Sequence, residues 1–393
     1  MKVLVLNSGS SSLKFQLFEM PYANIMSSGM VERIGFEDAK FIFKTRKETI
    51  ETVQSIPDHK SGLELVAHQL LDASGLIASA NAIDIVGHRV VHGGKHFSDT
   101  TEITPAVKAK IKALSSLAPL HNPANLEGIE VAESIFPEAR QVAVFDTAFH
   151  QTIPEYAYKY AIPKRYSEDY NIRMYGFHGT SHKYVSEQAI RYLDKAHSKI
   201  ITIHLGNGCS ITAVKEGKSI DHSLGFSPNT GLIMGTRSGD IDASIIFYLA
   251  NKLHLSLSEI SDLLQKKSGM LGLTGYSDLR DIETQAQNGN KACQLALEMN
   301  AYRIKKYIGS YVAILNGLDA LVFTAGIGEN SSLMRQMVCE DLDYLGIALD
   351  EIRNEKRSKH IREINTDTSS AKILVIPTNE ELEIAKQAMA LYQ

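Results

Sequence analysis

The stretch VLVLNSGSSSLKFQLFEM, Val3 to Met20, decides the reading of the fold. An apolar run from Val3 to Leu6 meets Asn7-Ser8-Gly9-Ser10-Ser11-Ser12, after which Leu13, Phe15 and Leu17 alternate with Lys14 and Gln16. That pattern predicts strand, tight polar turn, strand. The turn combines a flexible Gly, several hydroxyls and an Asn amide. It can therefore aim backbone N–H and O–H donors at an anion without presenting any negative charge, and a phosphate is its natural guest. An ordinary hairpin loop would use the same residue types.

The motif returns half a chain later. Ile200 to Ile203 leads into His204-Leu205-Gly206-Asn207-Gly208-Cys209-Ser210, and Ile211 and Ala213 alternate on the way out. A repeated strand-turn-strand that donates amides to phosphate suggests two lobes facing one polyphosphate, with two coincident hairpins as the alternative. At 393 residues the chain exceeds the size at which one core usually stops growing, so two domains are expected. The pattern restarts near Thr147 with no Pro/Ser-rich linker.

Composition narrows the function classes. With 44% hydrophobic and 22% charged residues, a net charge of −4 and no long basic run, the chain reads as an ordinary globular protein without nucleic acid as a partner. Cys209, Cys293 and Cys339 are few and widely spaced, which indicates neither a disulfide framework nor a zinc cluster and fits a reducing, cytoplasmic setting. No apolar run approaches membrane-spanning length and no signal core precedes the first strand, so no membrane association is expected.

Along the chain, Ile25 to Lys44 reads as further strand broken at Gly35 and Asp38, Lys60 to Leu71 as helix, and Ile83 to Val86 as a strand followed by GHRVVHGG, Gly87 to Gly94. Arg89 would then stand at a strand end, where open α/β sheets bind ligands, or else be a solvated surface charge. Thr104 and Pro105 open a helix as N-cap and N1. Gln141 to Phe145 is a buried strand ending at Asp146, a helix cap or a metal ligand. In Gly176 to His182 either Thr180 or Ser181 would cap the following helix, leaving His178 outside it and removing the zinc reading of His178 with His182. That helix would bury Val185, Ala189, Tyr192 and Leu193 on one face.

Arg237 lies in the Gly-flanked loop Gly235 to Asp240, ahead of a periodic helix whose buried face would carry Ile241, Ile245, Tyr248 and Leu249; a helix N-terminus favours anions. Ser277 would cap the helix after it. A helix with Ile304, Ile308, Val312 and Leu315 stops at Gly317 and delivers the strand Ala320 to Phe323. Thr324 to Asn330 follows as a Gly-containing loop that lets a nucleotide lie against the backbone, or a plain loop. After the strand Ile373 to Ile376, Thr378 and Glu381 have capping-box spacing, which frees Glu380 as a candidate ligand of Mg2+.

Nine blocks, NSGSSSLKF, GHRVVHGG, APLHNPAN, VFDTAFH, YGFHGTSH, HLGNGCS, MGTRSGDID, FTAGIGENS and PTNEE, resemble in order and spacing those of the acetokinase family, across essentially the whole chain. The resemblance implies an α/β fold of two duplicated ribonuclease H-like, actin-like domains with a nucleotide cleft between them. Their expected extents are 1–147 with 382–393, and 148–381, because the C-terminal helix returns to the first domain in that family. It implies a homodimer, and reversible, Mg2+-dependent transfer from ATP to acetate giving ADP and acetyl phosphate, with Mn2+ as an alternative metal.

By motif, Arg89 and Arg237 would hold the acetate carboxylate and the moving phosphoryl group, His178 would hydrogen-bond that group, and His121 would assist. Asn7, Asp146 and Glu380 would place the metal or its waters. Ser10, Ser12, Lys14, His204, Gly206, Asn207 and Gly208 would hold phosphates, and Asp278, Leu279, Arg280 and Gly326, Ile327, Gly328, Glu329 and Asn330 would line the adenosine site. Val91, Leu120, Phe177 and Pro228 look like the pocket for the acetate methyl group.

These residue types suit the chemistry. A carboxylate nucleophile is already ionised at neutral pH, since a carboxyl pKa is about 4, so no general base is needed. The difficulty is pressing two anions together, for which two Arg forks and a divalent ion serve. A kinase for propionate or butyrate is the nearest alternative, disfavoured by the branched Val91; an actin- or chaperone-like ATPase is the other.

Overall fold

The computed structural model describes residues 1–73 and 75–393. The chain divides into two compact units, Met1–Phe149 with Asn379–Gln393, and His150–Thr378.

The first unit is built on eight strands: β1 (Lys2–Ser8), β2 (Ser12–Glu19), β3 (Asn24–Glu32), β4 (Ala39–Thr45), β5 (Thr49–Gln54), β6 (Ile85–Val90), β7 (Thr101–Glu102) and β8 (Arg140–Phe145). They lie in the order β5-β4-β3-β2-β1-β6-β8-β7. β1 to β4 form an antiparallel meander, while β1, β6 and β8 are parallel. Strand alternation explains why the opening run is apolar throughout. Leu4 and Leu6 pack on one face with Phe15, Leu17 and Val66, and Val3 and Val5 pack on the other with Phe18 and Ile85. The second face is closed by the C-terminal helix Glu380–Ala390, whose Ile384, Ala385 and Ala388 are buried against it.

The second unit repeats the central arrangement with six strands: β9 (Lys199–Leu205), β10 (Cys209–Lys215), β11 (Lys218–His222), β12 (Ala320–Thr324), β13 (Arg362–Glu363) and β14 (Lys372–Val375). Their order is β11-β10-β9-β12-β14-β13. An antiparallel hairpin β9-β10 again lies beside two parallel strands, β12 and β14. The block β3-β2-β1-β6-β8 of one sheet thus corresponds to β11-β10-β9-β12-β14 of the other, and the sequence repeat marks the start of each. Helix Lys291–Leu315 packs its Ile304, Ile308, Tyr311 and Leu315 inward and ends on left-handed Asn316 and Gly317 (φ 54° and 117°).

Several local expectations are corrected. The strand expected over Ile83 to Val86 runs from Ile85 to Val90, so Arg89 is a strand residue. The polar edge strand β5 has too little apolar alternation to be read from sequence. The first helix, His59–His68, is capped by Asp58 and passes into a π-turn over Gln69–Ala73. Helix Gly179–Leu193 is preceded by His178 itself in the left-handed region, with neither Thr180 nor Ser181 as the cap, and Tyr192 is 45% exposed. Asp278, not Ser277, caps helix Leu279–Gln287. Asn379, not Thr378, caps the last helix by accepting from Leu382 N–H. Thr324 to Asn330 is a strand end followed by the short helix Ala325–Asn330. Finally, helix Ser244–Leu253 buries none of its residues: Ile245 is 42% and Tyr248 61% exposed, and Ile241 just before it 37%.

Candidate active site

In the first unit β1 and β6 are neighbours in register, Leu6 opposite His88, and β8 lies on the far side of β6, Val90 opposite Phe145. The ends of these three strands therefore bring Asn7, Arg89 and Asp146 together, although Asp146 is distant from Arg89 in sequence. Arg89 donates from Nε and Nη2 to the Asp146 carboxylate at 2.6–3.1 Å and from Nη1 to Asn7 Oδ1 at 3.3 Å. Loss of hydration opposes the guanidinium charge, but Asp146 and then Glu380 outweigh it, and Arg89 is held above its ordinary range. Burial pushes the Glu380 carboxyl up to about 7, with Arg89 opposing the rise and Asp146 and Glu381 adding to it.

Val91 N–H donates to Asn125 Oδ1, and Asn125 Nδ2 donates to Ser8 C=O. Asn122 Oδ1 and Nδ2 hold the N–H and C=O of His92. The first turn of helix Asn122–Ile135 thus fixes the backbone on either side of Val91. Asn122 and Asn125 were part of a recognised block without an assigned role; their i, i+3 spacing, which puts both on one helix face, was the available signal. His121 occupies the N-cap position of that helix, Leu120 is 54% exposed and Val91 is buried. The β1–β2 turn closes through Gly9 N–H to Ser12 C=O, with His59 Nε2 donating to Gly9 C=O. Ser10 and Lys14 are exposed and Ser12 half-buried.

No group of three or more His, Cys, Asp or Glu side chains converges to hold a metal among the described residues. What this unit offers is a set of hard oxygens, the Asp146 and Glu380 carboxylates and the Asn7 amide, of the kind that suits Mg2+ retaining waters and phosphate oxygens.

In the second unit His178 has φ 54°, and the peptide before it is clamped on both sides. Phe177 N–H donates to His222 Nε2 at 3.1 Å, and His150 Nε2 donates to Phe177 C=O at 2.9 Å. Gly176 is required here: at φ 77°, a Cβ would stand 2.6 Å from the His150 ring. The His178 ring stacks on His204 at 4.4 Å between centroids. A Cβ on Gly208 would meet His178 Nε2 at 3.3 Å and Arg237 Nη1 at 3.8 Å, so the imidazole and the guanidinium flank the same glycine. Arg237 donates to Pro228 C=O at 2.9 Å and has no carboxylate partner among the described residues. Burial lowers its pKa, and only the Cys209 thiol opposes that. Its loop is tied to helix Gly269–Thr274 through Met270 N–H to Met234 C=O and Leu271 N–H to Gly235 C=O; the helix following in sequence starts only at Ser244.

A cavity of about 840 Å³ opens beside this cluster, within the range of ligand sites. Gly206 and Asn207 from the second hairpin line it, as do Asp278, Leu279 and Arg280 and, from helix Ala325–Asn330, Gly326, Ile327 and Asn330. Ala325 is held at φ 65°, a strained conformation for a residue with a Cβ, where the backbone turns toward the cavity. Of the expected nucleotide residues, Gly328 is buried with its C=O accepting from Arg335, and Glu329 accepts from Thr378 N–H; neither lines the cavity. Ser277, Glu283, Ser331 and Arg357 line it and were not expected. Glu283 could have been read from its i, i+4 relation to Leu279, whereas Arg357 gives no sequence signal. Arg280 pairs with Asp278 and holds that carboxyl down at about 2.

The chain matches the profile described as the acetokinase family over residues 2–386. It is 63% identical over 394 residues to an acetate kinase of Flavobacterium johnsoniae and 52% identical over 401 residues to one of Halothermothrix orenii, with 100% of each chain covered. Among solved structures, Porphyromonas gingivalis acetate kinase superposes with TM-score 0.94 at 45% identity over 100% of both chains. A propionate kinase from Francisella tularensis superposes with TM-score 0.94 at 45% identity over 99% of both.

Proposed function

The chain belongs to the acetokinase family, and on that premise we propose that it transfers the γ-phosphoryl group of ATP to acetate, giving ADP and acetyl phosphate, and catalyses the reverse. The observation that carries the reading is Arg237: a half-buried guanidinium with no carboxylate to neutralise it among the described residues, beside His178 and a nucleotide-sized cavity. Such a charge is costly unless an anion completes it. Two anions each carrying one charge repel by roughly 4 kcal/mol at 4 Å in an effective dielectric near 20, and fixed cations remove that barrier.

In the reaction a carboxylate oxygen bonds to the γ-phosphorus while the bond to the ADP oxygen breaks and its electron pair stays with ADP; no proton has to move. Arg237 and Arg89 hold the carboxylate and the phosphoryl oxygens, and His178 hydrogen-bonds the phosphoryl group. Asp146, joined to Arg89 through both carboxylate oxygens, keeps that fork oriented. The oxygens of Asn7, Asp146 and Glu380 would hold Mg2+, which when bound neutralises phosphate charge. Gly206, Asn207 and Gly326 let the nucleotide lie against backbone, and Val91 walls the methyl group.

A homodimer is part of the reading, supported by the solvent-facing stripe Ile241, Ile245 and Tyr248, which a second copy would cover. The three free, buried cysteines fit a reducing cytoplasm, and no helix among the described residues is long and apolar enough to cross a membrane.

Propionate is the competing acid, because the propionate kinase is as similar in fold as the acetate kinase. One methylene in an apolar pocket discriminates by only about 1–3 kcal/mol, so propionate turns over more slowly rather than not at all. Trapping the acyl phosphate as a hydroxamate gives ATP consumption that depends on the acid. A kcat/KM higher for acetate supports the assignment; one higher for propionate overturns it, and ATP hydrolysis indifferent to either acid overturns the kinase reading.

A further inference from the structure

His178 is joined through hydroxyls to a second buried imidazole. Ser210 Oγ lies 2.9 Å from His178 Nδ1 and 2.7 Å from His182 Nε2, and His182 Nδ1 lies 2.7 Å from Thr202 Oγ1. Ser210, His182 and Thr202 are each fully buried. The row Thr202–His182–Ser210–His178 therefore contains three hydrogen bonds, and its protons can be ordered in three ways while both rings are neutral. Burial, with His150 and His204 adding to it, drives His182 well below its ordinary pKa and keeps it neutral.

In one order the Thr202 hydroxyl donates to His182 Nδ1, His182 Nε2–H donates to Ser210, and Ser210 donates to His178 Nδ1. Each of these three protons has an acceptor. In the reverse order His182 Nδ1–H donates to Thr202, and the Thr202 hydroxyl proton is left with no acceptor among the described residues, in a place closed to water. In the third order both rings donate to Ser210, and the hydroxyl proton of the fully buried Ser210 is left with no acceptor among the described residues. A buried unpaired donor is the costly case, so the first order prevails.

We propose that Thr202, His182 and Ser210 are positioning residues that fix His178 as its Nε2–H tautomer, so that the ring edge bordering Gly208 and Arg237 presents a donor to the phosphoryl oxygens. The reverse tautomer would aim a lone pair at an anion. The proposal rests on the reading of His178 as a partner of the moving phosphoryl group, but its central claim concerns the ligand-free protein. The two strands involved are the arms of the second hairpin, β9 and β10, so the motif that borders the nucleotide cavity also sets the donor.

The test is long-range 1H–15N correlation spectroscopy of the 15N-histidine-labelled full chain without ligand, His178 being identified by the signals missing from His178→Gln. The expected pattern is a pyridine-type Nδ1 and a pyrrole-type Nε2 for His178. In Ser210→Ala these signals become exchange-averaged and kcat falls about 10- to 100-fold with little change in KM, while Ser210→Thr restores both, in line with the value of one preorganised donor and of a correct tautomer. A pyrrole-type Nδ1 on His178 in the wild-type chain overturns the proposal, as does an unaltered His178 pattern in Ser210→Ala. Should Ser210→Ala not fold, the wild-type pattern decides alone. A chain without acetate-dependent activity would defeat the reading of the reaction and leave the tautomer result standing, so the two failures are distinguishable.

Discussion

Arg89 carries a bidentate carboxylate, Asp146, and Arg237 carries none among the described residues, although both were read from the sequence as arginines in Gly-rich surroundings. The difference predicts opposite balances of stability and activity. Replacing Arg237 by Ala removes an uncompensated half-buried charge, so the urea midpoint should stay level or rise while kcat drops by roughly 10^3 or more, the worth of a finger-type arginine. Arg237→Lys should recover little, because a point charge does not reproduce the guanidinium fork. Asp146→Asn should instead lower stability, by about 2–4 kcal/mol, because it breaks a largely buried pair and leaves Arg89 with only the weaker influence of Glu380 and Glu381. A clear loss of stability in Arg237→Ala, or none in Asp146→Asn, would contradict these assignments. The sequence held both arginines but not their partners: Asp146 reaches Arg89 only because β6 and β8 lie side by side in parallel.

At the scale of elements, periodicity carried most of the reading and local capping chemistry the least. The two hairpins, the parallel strands other than β6 and the long helix Lys291–Leu315 stand where alternation and helical spacing put them. Three caps shifted by one to three residues: at Asp278 and Asn379 because Ser, Thr, Asp and Asn compete for the position and only the backbone angles choose among them, and at His178 because a left-handed residue starts the helix without a side-chain cap. One close approach is invisible in sequence. A Cβ on Gly87 in β6 would stand 2.9 Å from Ile384 Cγ2, where the C-terminal helix crosses the sheet. Gly87→Ala should cost about 1–3 kcal/mol by overpacking and Ile384→Ala about 2–5 kcal/mol by leaving a cavity. The double variant should cost less than the sum, since the new methyl group enters the space vacated. Strict additivity in a thermal-denaturation cycle would show that the two side chains do not meet as described.

For the whole molecule, each unit has its own sheet and its own cluster of candidate residues, Arg89, Asp146 and Glu380 in the first and His178, Arg237 and the nucleotide-sized cavity in the second. The stripe Ile241, Ile245 and Tyr248 has the spacing of a buried helix face, yet the single chain leaves it in water, with Phe247 66% exposed beside it. A stripe of that kind is retained where something covers it. Phe247→Glu combined with Tyr248→Glu should halve the mass measured by light scattering and leave the fold intact by circular dichroism. A wild-type mass of one chain would overturn the homodimer, and an unchanged two-chain mass in the variant would overturn the assignment of this stripe.

The sequence by itself determined the two-fold repeat, the α/β class, the two polar Gly-containing turns and the identities of the charged and imidazole groups, because alternation, glycine content and residue chemistry are local properties of the chain. Tertiary structure alone decided which arginine is paired with a carboxylate, which hydroxyl stands beside each buried imidazole, which cap each helix uses and which apolar face meets solvent. Those outcomes depend on residues far apart in sequence arriving within hydrogen-bonding or packing distance, and on the loss of water that follows.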